Sequence, residues 1–535
     1  MNRILLFGIV VSILFLAPES QGYSTPNLPL DDHAYRDIDK LIAAGLIEDA
    51  LYGYRPWSEA EIARMVQEAE KRWDKTAPPS FVEAIIKRLK KRFDLENPRP
   101  LTIDPIQSAT VGFTSLDNPP TPIPLNNGLG SVDATVAPLT NFSEGRHFAE
   151  GQTAALETVH TARLSPYFSV LANPRFEALL PHSTGNEANV IVHRLYGKAG
   201  YRKFFLQVGR ENIAWGQGEH GGLLLSNNAR PLDMIRAGTE SPLYLPSLLQ
   251  YAGPTSFQLF VANLGPEQDI PRPFLTGYKL AFKPVRFFEI AVNHLVLMGG
   301  EGSNAPGFFD AISEFTGVFP AFLGNKGGEA DTNRLFSIEI RWLLPFLRNA
   351  SFYAEGAFDD TISDSEVLFE DEAMYLTGFY LPYWTDSGTV DLRIEYKHLP
   401  AIAYRHSLYT SGHSLNRRLL GDPLGPDSDG AYGKIRWDLR EGLLLTSGLA
   451  YERRDSDRFL TITAGGENID IVGIENNPAE HRWRLEEGLE WKWREGLASK
   501  LMIGYEHAWN ALFQQNHDQD HWMAQLELTI TKFPF

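Results

Sequence analysis

The chain has 535 residues, no cysteine and a formal charge of -18, with 12% aromatic residues, 45 glycines and 34 prolines. Lack of cysteine excludes disulfides, thiolate metal sites, cysteine nucleophiles and a lipidated N-terminal cysteine, and the acidity argues against nucleic acid, whose phosphates need a positive surface. A mean hydropathy of -0.23 excludes a bundle of membrane helices, but not a membrane barrel, whose strands offer lipid only every second residue.

In chain order, Arg3 and the apolar run Ile4–Leu16, broken by Pro18 and followed by small residues at Ser20 and Gly22, have the pattern of a cleaved signal peptide over 1–22. The run is too short to span a bilayer as a helix, which takes roughly 20 residues. From about 30 to 95 the apolar residues recur at helical spacing. Tyr35, Ile38, Leu41 and Ile42 share a face, and Gly45 is placed to end that helix. Ser58 with Glu61, and Ser80 with Glu83, have capping-box spacing ahead of the stripes Ile62–Trp73 and Val82–Phe93. None of these three helices can bury its stripe alone, so 23–100 is expected to form a small helical domain packed on its neighbour. The third carries Lys87, Arg88, Lys90, Lys91 and Arg92, which suit either a solvated face or contact with an anionic polymer or lipid headgroup.

After Pro98 and Pro100 the period changes to two. Phe336, Ile338, Ile340 and Trp342 alternate with Ser337, Glu339 and Arg341; Leu392, Ile394 and Tyr396 alternate with Arg393, Glu395 and Lys397. Ile435, Trp437 and Leu439 alternate with Lys434, Arg436 and Asp438; Leu489, Trp491 and Trp493 alternate with Glu490, Lys492 and Arg494. Trp522–Ile530 repeats the pattern near the terminal Phe535, an aromatic of the kind that barrel-assembly machinery reads, although the parity slips over Lys532–Pro534. In an exported chain, an apolar aromatic-rich face and a doubly charged one fit a lipid-facing wall around a polar lumen. The expected fold is mainly β: a large antiparallel transmembrane β-barrel of about 14–18 strands over 101–535, with the helical domain in front and outer loops at Asp117–Gly151, Gly300–Asn333 and Asp359–Glu372.

Two blocks are more specific than generic barrel. One is Gly209–Pro246, GRENIAWGQGEHGGLLLSNNARPLDMIRAGTESPLYLP, and the other is Tyr404–Gly430, YRHSLYTSGHSLNRRLLGDPLGPDSDG. Both, with the opening STPNLPLDDHAYRDIDKLIAAGLI and the following GYRPWSEAEIARMV, resemble the Wzi-type capsule assembly family over nearly the whole mature chain. The resemblance implies an outer-membrane barrel, favours 18 strands, and puts the helical bundle on the periplasmic side. It also implies assembly or attachment of surface polysaccharide as a lectin-like anchor rather than an enzyme.

Read by themselves, the glycines around Trp215 suggest close backbone packing, with Arg210, Glu211, Asn227, Asn228 and Arg230 satisfying one another inside the lumen. The binding alternative has Trp215 stacking on sugar C–H groups and Arg210 or Arg230 holding uronate or phosphate. Tyr380, Tyr383 and Trp384 form either a second sugar platform or an interfacial girdle. The expected partners are surface polysaccharide, outer-membrane lipid and the assembly machinery; no cofactor is called for and the chain is read as a monomer. A porin for sugars or small solutes is the alternative function. A hydrolase built on His406, His413, Ser414 and Asn416 has the residue types but no shown geometry. The acidic stretches Asp359–Asp371 and Asp422–Asp429, and His517 with His521, are the candidates for metal ligation.

Overall fold

The computed structural model describes residues 24–73, 79–93, 101–304, 331–359, 373–464 and 467–531, with a few positions between 306 and 315. The expected signal peptide, most of Gly300–Asn333 and Asp359–Glu372, and the slip near Lys532–Pro534 lie outside the described residues.

Three helices open the fold: α1 (His33–Ala43), α2 (Glu59–Trp73) and α3 (Phe81–Arg92). Asp32 caps α1 through its carboxylate and the Ala34 N–H. Ser58 accepts from the Glu61 N–H at 3.1 Å, while the Glu61 carboxylate turns to Arg64 instead of closing the box. Ser80 differs from the expectation: its backbone is already helical and its hydroxyl caps nothing. The three apolar stripes pack into one core of Ile38, Leu41, Ile42, Ile62, Met65, Val66, Ile85, Ile86 and Leu89, joined by Leu343 of the following domain. The basic residues of α3 are largely paired: Arg88 with Asp37, Lys90 with Glu70, Lys91 with Glu495 and Arg92 with Asp32.

The rest is a closed antiparallel barrel of 18 strands. They are β1 (Thr102–Leu116), β2 (Gly151–Ser165), β3 (Phe168–Pro181), β4 (Glu187–Tyr201), β5 (Phe204–Glu211), β6 (Leu232–Thr239), β7 (Pro254–Asn263), β8 (Phe274–Val285) and β9 (Phe288–Met298). β10 (Thr332–Leu344), β11 (Ala350–Asp359), β12 (Ala373–Leu381), β13 (Val390–Leu399), β14 (Ser428–Arg440), β15 (Leu443–Arg454), β16 (Glu480–Arg494), β17 (Leu497–Trp509) and β18 (Gln519–Thr531) follow. Each pairs with its sequence neighbour, and β1 closes on β18 from Ser108↔Thr531 to Leu116↔Met523. Closure removes the free edges that an open sheet of this length would present.

The alternation read from the sequence sets the walls. Ile338, Trp342, Ile394, Tyr396, Ile435, Trp437, Leu439, Trp493, Trp522 and Leu526 are exposed on the outside, whereas their neighbours Glu339, Arg341, Arg393 and Glu395 are buried within. The two ends differ. At one, strands are joined by brief turns such as 166–167, 202–203, 286–287, 441–442 and 495–496; at the other, by long segments such as 117–150, 212–231, 400–427 and 455–479. The helical domain sits at the short-turn end. There Arg36 of α1 bridges Asp391 and Asp438, Lys40 reaches the Gly388 carbonyl, and Asn349 donates to the Ala43 carbonyl.

Candidate functional site, a plugged lumen under an arginine-edged cap

Segment 212–231, the core of the first sequence block, does not arch away from the barrel; it turns into the lumen. Its glycines make that possible. Gly216 has φ 119° and lies against Gly222, and a Cβ on Gly222 would fall 2.1 Å from a Glu355 carboxylate oxygen and 2.7 Å from the Trp215 carbonyl. Carboxylates on alternate wall strands, β9, β11 and β13, then catch the donors of the turn. Leu223 N–H donates to Glu355 at 3.0 Å, Glu219 N–H to Glu395 at 2.8 Å, and the Gln217 amide to Glu289 at 3.1 Å. From the helical end, Tyr54–Arg55 climbs into the lumen and pairs antiparallel with Ala214–Trp215. Glu289 also accepts from the Tyr52 N–H at 3.0 Å. Two insertions, one from each end, thus meet inside the barrel as a short two-stranded sheet.

The second block closes over the first. Tyr404 donates through its hydroxyl to the Leu223 carbonyl at 2.6 Å, and His413 Nε2 to the Leu224 carbonyl at 2.7 Å. The Ser226 N–H donates to the Leu420 carbonyl, and the Asn228 amide to the Leu419 carbonyl. Val132, Leu223, Leu224, Leu225, Tyr404, Leu415, Leu419 and Leu424 form the dry centre of this cap. Burial lowers the His413 pKa to about 4, so the ring stays neutral. Burial, with Asp455 and Asp457 nearby, raises that of Asp427 to about 6. The specificity of the two blocks thus has a physical origin: each supplies the hydrogen-bond partners of the other.

The predicted binding residues separate into two groups. Trp215 is 1% exposed, with its indole N–H on Gln258 at 3.3 Å and its ring edge-on to Phe260. No face of it is open to a sugar, because the close-packed glycines seat it in the plug. Asn227 and Asn228 are buried in the cap. Tyr380 is buried beneath the Arg393 guanidinium, and Tyr383 packs on Phe81 of α3 at 5.1 Å; only Trp384 of that trio is exposed. These three stand at or toward the helical end, so they form no platform among the long loops.

Arg210 and Arg230 behave differently. Arg210 was expected inside the lumen, but it shares the outward parity of the exposed Leu206 and Val208; there it grips Asp233 through two bonds of 2.8 and 2.7 Å. Arg230 shares that carboxylate at 3.3 Å and donates to Asn416 at 3.1 Å. Asn416 and Arg417 form the two-residue tip of a small hairpin, Ser414–Leu419, both with positive φ. Arg417 is exposed and bonded to Asp133 at 3.0 Å. A cationic edge of Arg210, Arg230 and Arg417 therefore rims the long-loop end. Sequence reading missed Arg417, whose only signal was the Asn-Arg turn pattern.

The other candidates have structural partners. Ser414 donates to the Ser411 carbonyl and His413 to Leu224, so they do not form a nucleophile–base pair. Asp422 pairs with Lys397, Asp429 with His398, and His517 with the Ala511 carbonyl. Among the described residues, no three acidic or histidine side chains are grouped to hold a metal.

Strands that present lipid outside and charge inside, around a lumen filled by inserted segments, define an outer-membrane β-barrel with an internal plug. The family model for capsule assembly protein Wzi matches residues 125–522, and the chain belongs to that family. Among solved structures, it is similar to Wzi, an outer membrane protein involved in group 1 capsule assembly in Escherichia coli and a carbohydrate-binding β-barrel. That likeness has 16% identity, covers 95% of this chain and 100% of that one, and has a TM-score of 0.67. It is also similar to OprD of Pseudomonas aeruginosa at 8% identity, covering 80% and 95% of the two chains with a TM-score of 0.41. No curated protein matches the chain in a sequence search.

Proposed function

We propose that the protein assembles or holds polysaccharide at the cell surface, acting as a lectin-like anchor with its helical domain in the periplasm. The observation that carries this reading is the plug: insertions from both ends meet in the lumen, so the barrel offers a surface more readily than a path. The short turns at the helical end support the periplasmic assignment, since outer-membrane barrels keep short turns there and long loops outside. Polymer carboxylates or phosphates are met by the Arg230 and Arg417 guanidinia on the rim, which bind such groups in planar pairs. Arg210 supports Arg230 by sharing Asp233.

The test is binding of purified barrel to immobilised acidic capsular polysaccharide. The double variant Arg230→Ala, Arg417→Ala is expected to bind about tenfold more weakly, the loss of two charge-assisted contacts, while cells expressing it shed more capsule. Unchanged binding and retention would place the glycan site elsewhere. Lumen-facing side chains that keep solvent contact favour the channel as a second reading; stable unitary currents in planar bilayers would select it.

A further inference from the structure

The turns at the helical end of the barrel are not alike. The connection from β6 to β7, 240–253, is the longest described there, and it is neither folded into the helical domain nor trimmed to a tight hairpin. Pro242 lines the small cavity shared with Trp57, Glu61 and Met65 of the helical domain, so the inside position is already filled. Leu243–Tyr244 then pairs with the start of β7, and the chain makes a single 3-10 helix, Ser247–Ala252, with no buried side chain. Leu248 is 81% and Tyr251 72% exposed, and Leu249 and Tyr244 are also exposed. Gly253 pins the return: its φ is 68°, and a Cβ there would fall 2.0 Å from the Lys283 carbonyl oxygen of β8.

Neighbouring turns on the same arc continue the character of this one. Phe346 in the β10–β11 turn and Phe287 in the β8–β9 turn are exposed, beside Val285 and Trp342 on the outer wall. Basic residues stand among them. Lys203 lies 5.9 Å from the Tyr244 ring centre, Arg286 is exposed in the next turn, and Arg348 follows in the one after. On the opposite arc, the turns present Glu441 and Glu495, while Arg348 is already paired with Asp386 of the neighbouring turn at 2.7 Å.

We propose that Tyr244–Ala252, with Phe287 and Phe346, is an in-plane anchor seated in the headgroup zone of the inner leaflet of the outer membrane, and that Lys203 and Arg286 select anionic phospholipid there. Three observations favour lipid over a soluble partner. The patch is continuous with the lipid-facing wall, its aromatic tyrosines suit an interface that is apolar on one side and wet on the other, and its charges complement an anionic bilayer surface. A solvent-exposed Leu-Leu-x-Tyr turn would otherwise leave a large apolar patch in water.

The chain has no cysteine, so a single Leu248→Cys gives one attachment point on the otherwise intact protein. Glu441→Cys, on an acidic turn of the opposite arc, serves as the control. Both proteins carry a polarity-sensitive fluorophore and are reconstituted in phosphatidylcholine vesicles with or without phosphatidylglycerol. At position 248 the probe should be quenched by lipids spin-labelled near the headgroup, and should be about threefold less open to aqueous iodide than at 441, as expected for interfacial burial. Adding phosphatidylglycerol should widen the difference, and Lys203→Gln with Arg286→Gln should remove that widening. Equal iodide access at 248 and 441 would overturn the anchor. So would concentration-dependent self-quenching without lipid quenching, which would assign the patch to a second copy of the chain. An unchanged response to phosphatidylglycerol would overturn the anionic selectivity.

Discussion

Two arcs of the lumen wall are lined by the same kinds of residue and behave differently. On the arc from β7 to β13, Lys279 and Glu339 are 0% exposed and bonded to each other, Glu355 and Tyr353 are equally enclosed, and the plug lies against them. From β14 to β17 the charges nearer the long loops, Arg454, Glu480, Arg482 and Glu506, are buried as well, but farther toward the helical end Lys434 keeps 22%, Glu486 33% and Asp438 35% of its side chain exposed although all three also point inward. The difference lies in what each arc faces. The plug turn spends its backbone donors on the carboxylates of the first arc, whereas the exposed charges of β14 meet it through the Glu219 carboxylate, shared by Lys434, Arg436 and Arg393, and meet α1 through Arg36 and Lys40 on Asp438. A charge ladder is therefore a sealed core or a solvated lining according to whether an inserted segment reaches it.

The largest effect should come from breaking the sealed arc. Lys279→Met strands the Glu339 carboxylate without its ammonium partner and should cost about 3–5 kcal/mol, the usual penalty for orphaning a buried charge; the urea midpoint of the folded barrel, followed by heat-modifiable gel mobility, measures it. Gly222→Val addresses the same arc through the plug. With a side chain directed at Glu355 and the Trp215 carbonyl, the turn should leave the wall, and planar-bilayer recordings should show currents that the parent protein lacks. Parent and variant recordings of the same size would mean that the plug does not seal this arc.

The cap gives two predictions of opposite sign. His413 has its folded pKa lowered to about 4 by burial. Its contribution is therefore present above the unfolded value of 6.5 and lost as the pH falls through about 4, up to roughly 3 kcal/mol. His413→Gln should flatten the acid-induced rise in proteolysis of 400–427. Asp427 has its folded pKa raised to about 6, so its contribution is present below the unfolded value of 3.8 and lost as the pH rises through 6. Asp427→Asn should protect the cap at pH near 7.5 by about 2 kcal/mol and leave it unchanged near pH 4, read by the same proteolysis. The smallest effect belongs to the solvated arc. Lys434→Met leaves Glu219 with Arg393 and Arg436 and should shift stability by under about 1 kcal/mol. A shift as large as that of Lys279→Met would erase the distinction between the arcs.

Alternation was enough to read the wall: a period of two at Phe336–Trp342 or Ile435–Leu439 permits only one face to meet lipid, whatever the rest of the chain does. Helical spacing was likewise enough for α1 to α3, since their stripes at Ile38, Ile62 and Ile85 are local facts. The site was less legible. Trp215 has the residue type of a sugar platform, and nothing in its neighbours along the chain says that Gln258 and Phe260, more than forty residues later, enclose it.

Tertiary structure alone decided that Arg210 leaves the lumen, because its side is set by the register of β5 against Asp233 of β6. It also decided that Arg230 meets Asn416, from a block almost two hundred residues away. The amino-acid sequence determined the barrel, the helical front end and the two matched blocks, because periodicity and composition act over a few residues. Which charges are sealed, which are solvated and which reach the rim depended on where the plug enters a closed wall. That is a relation between distant segments, and only the closed fold supplies it.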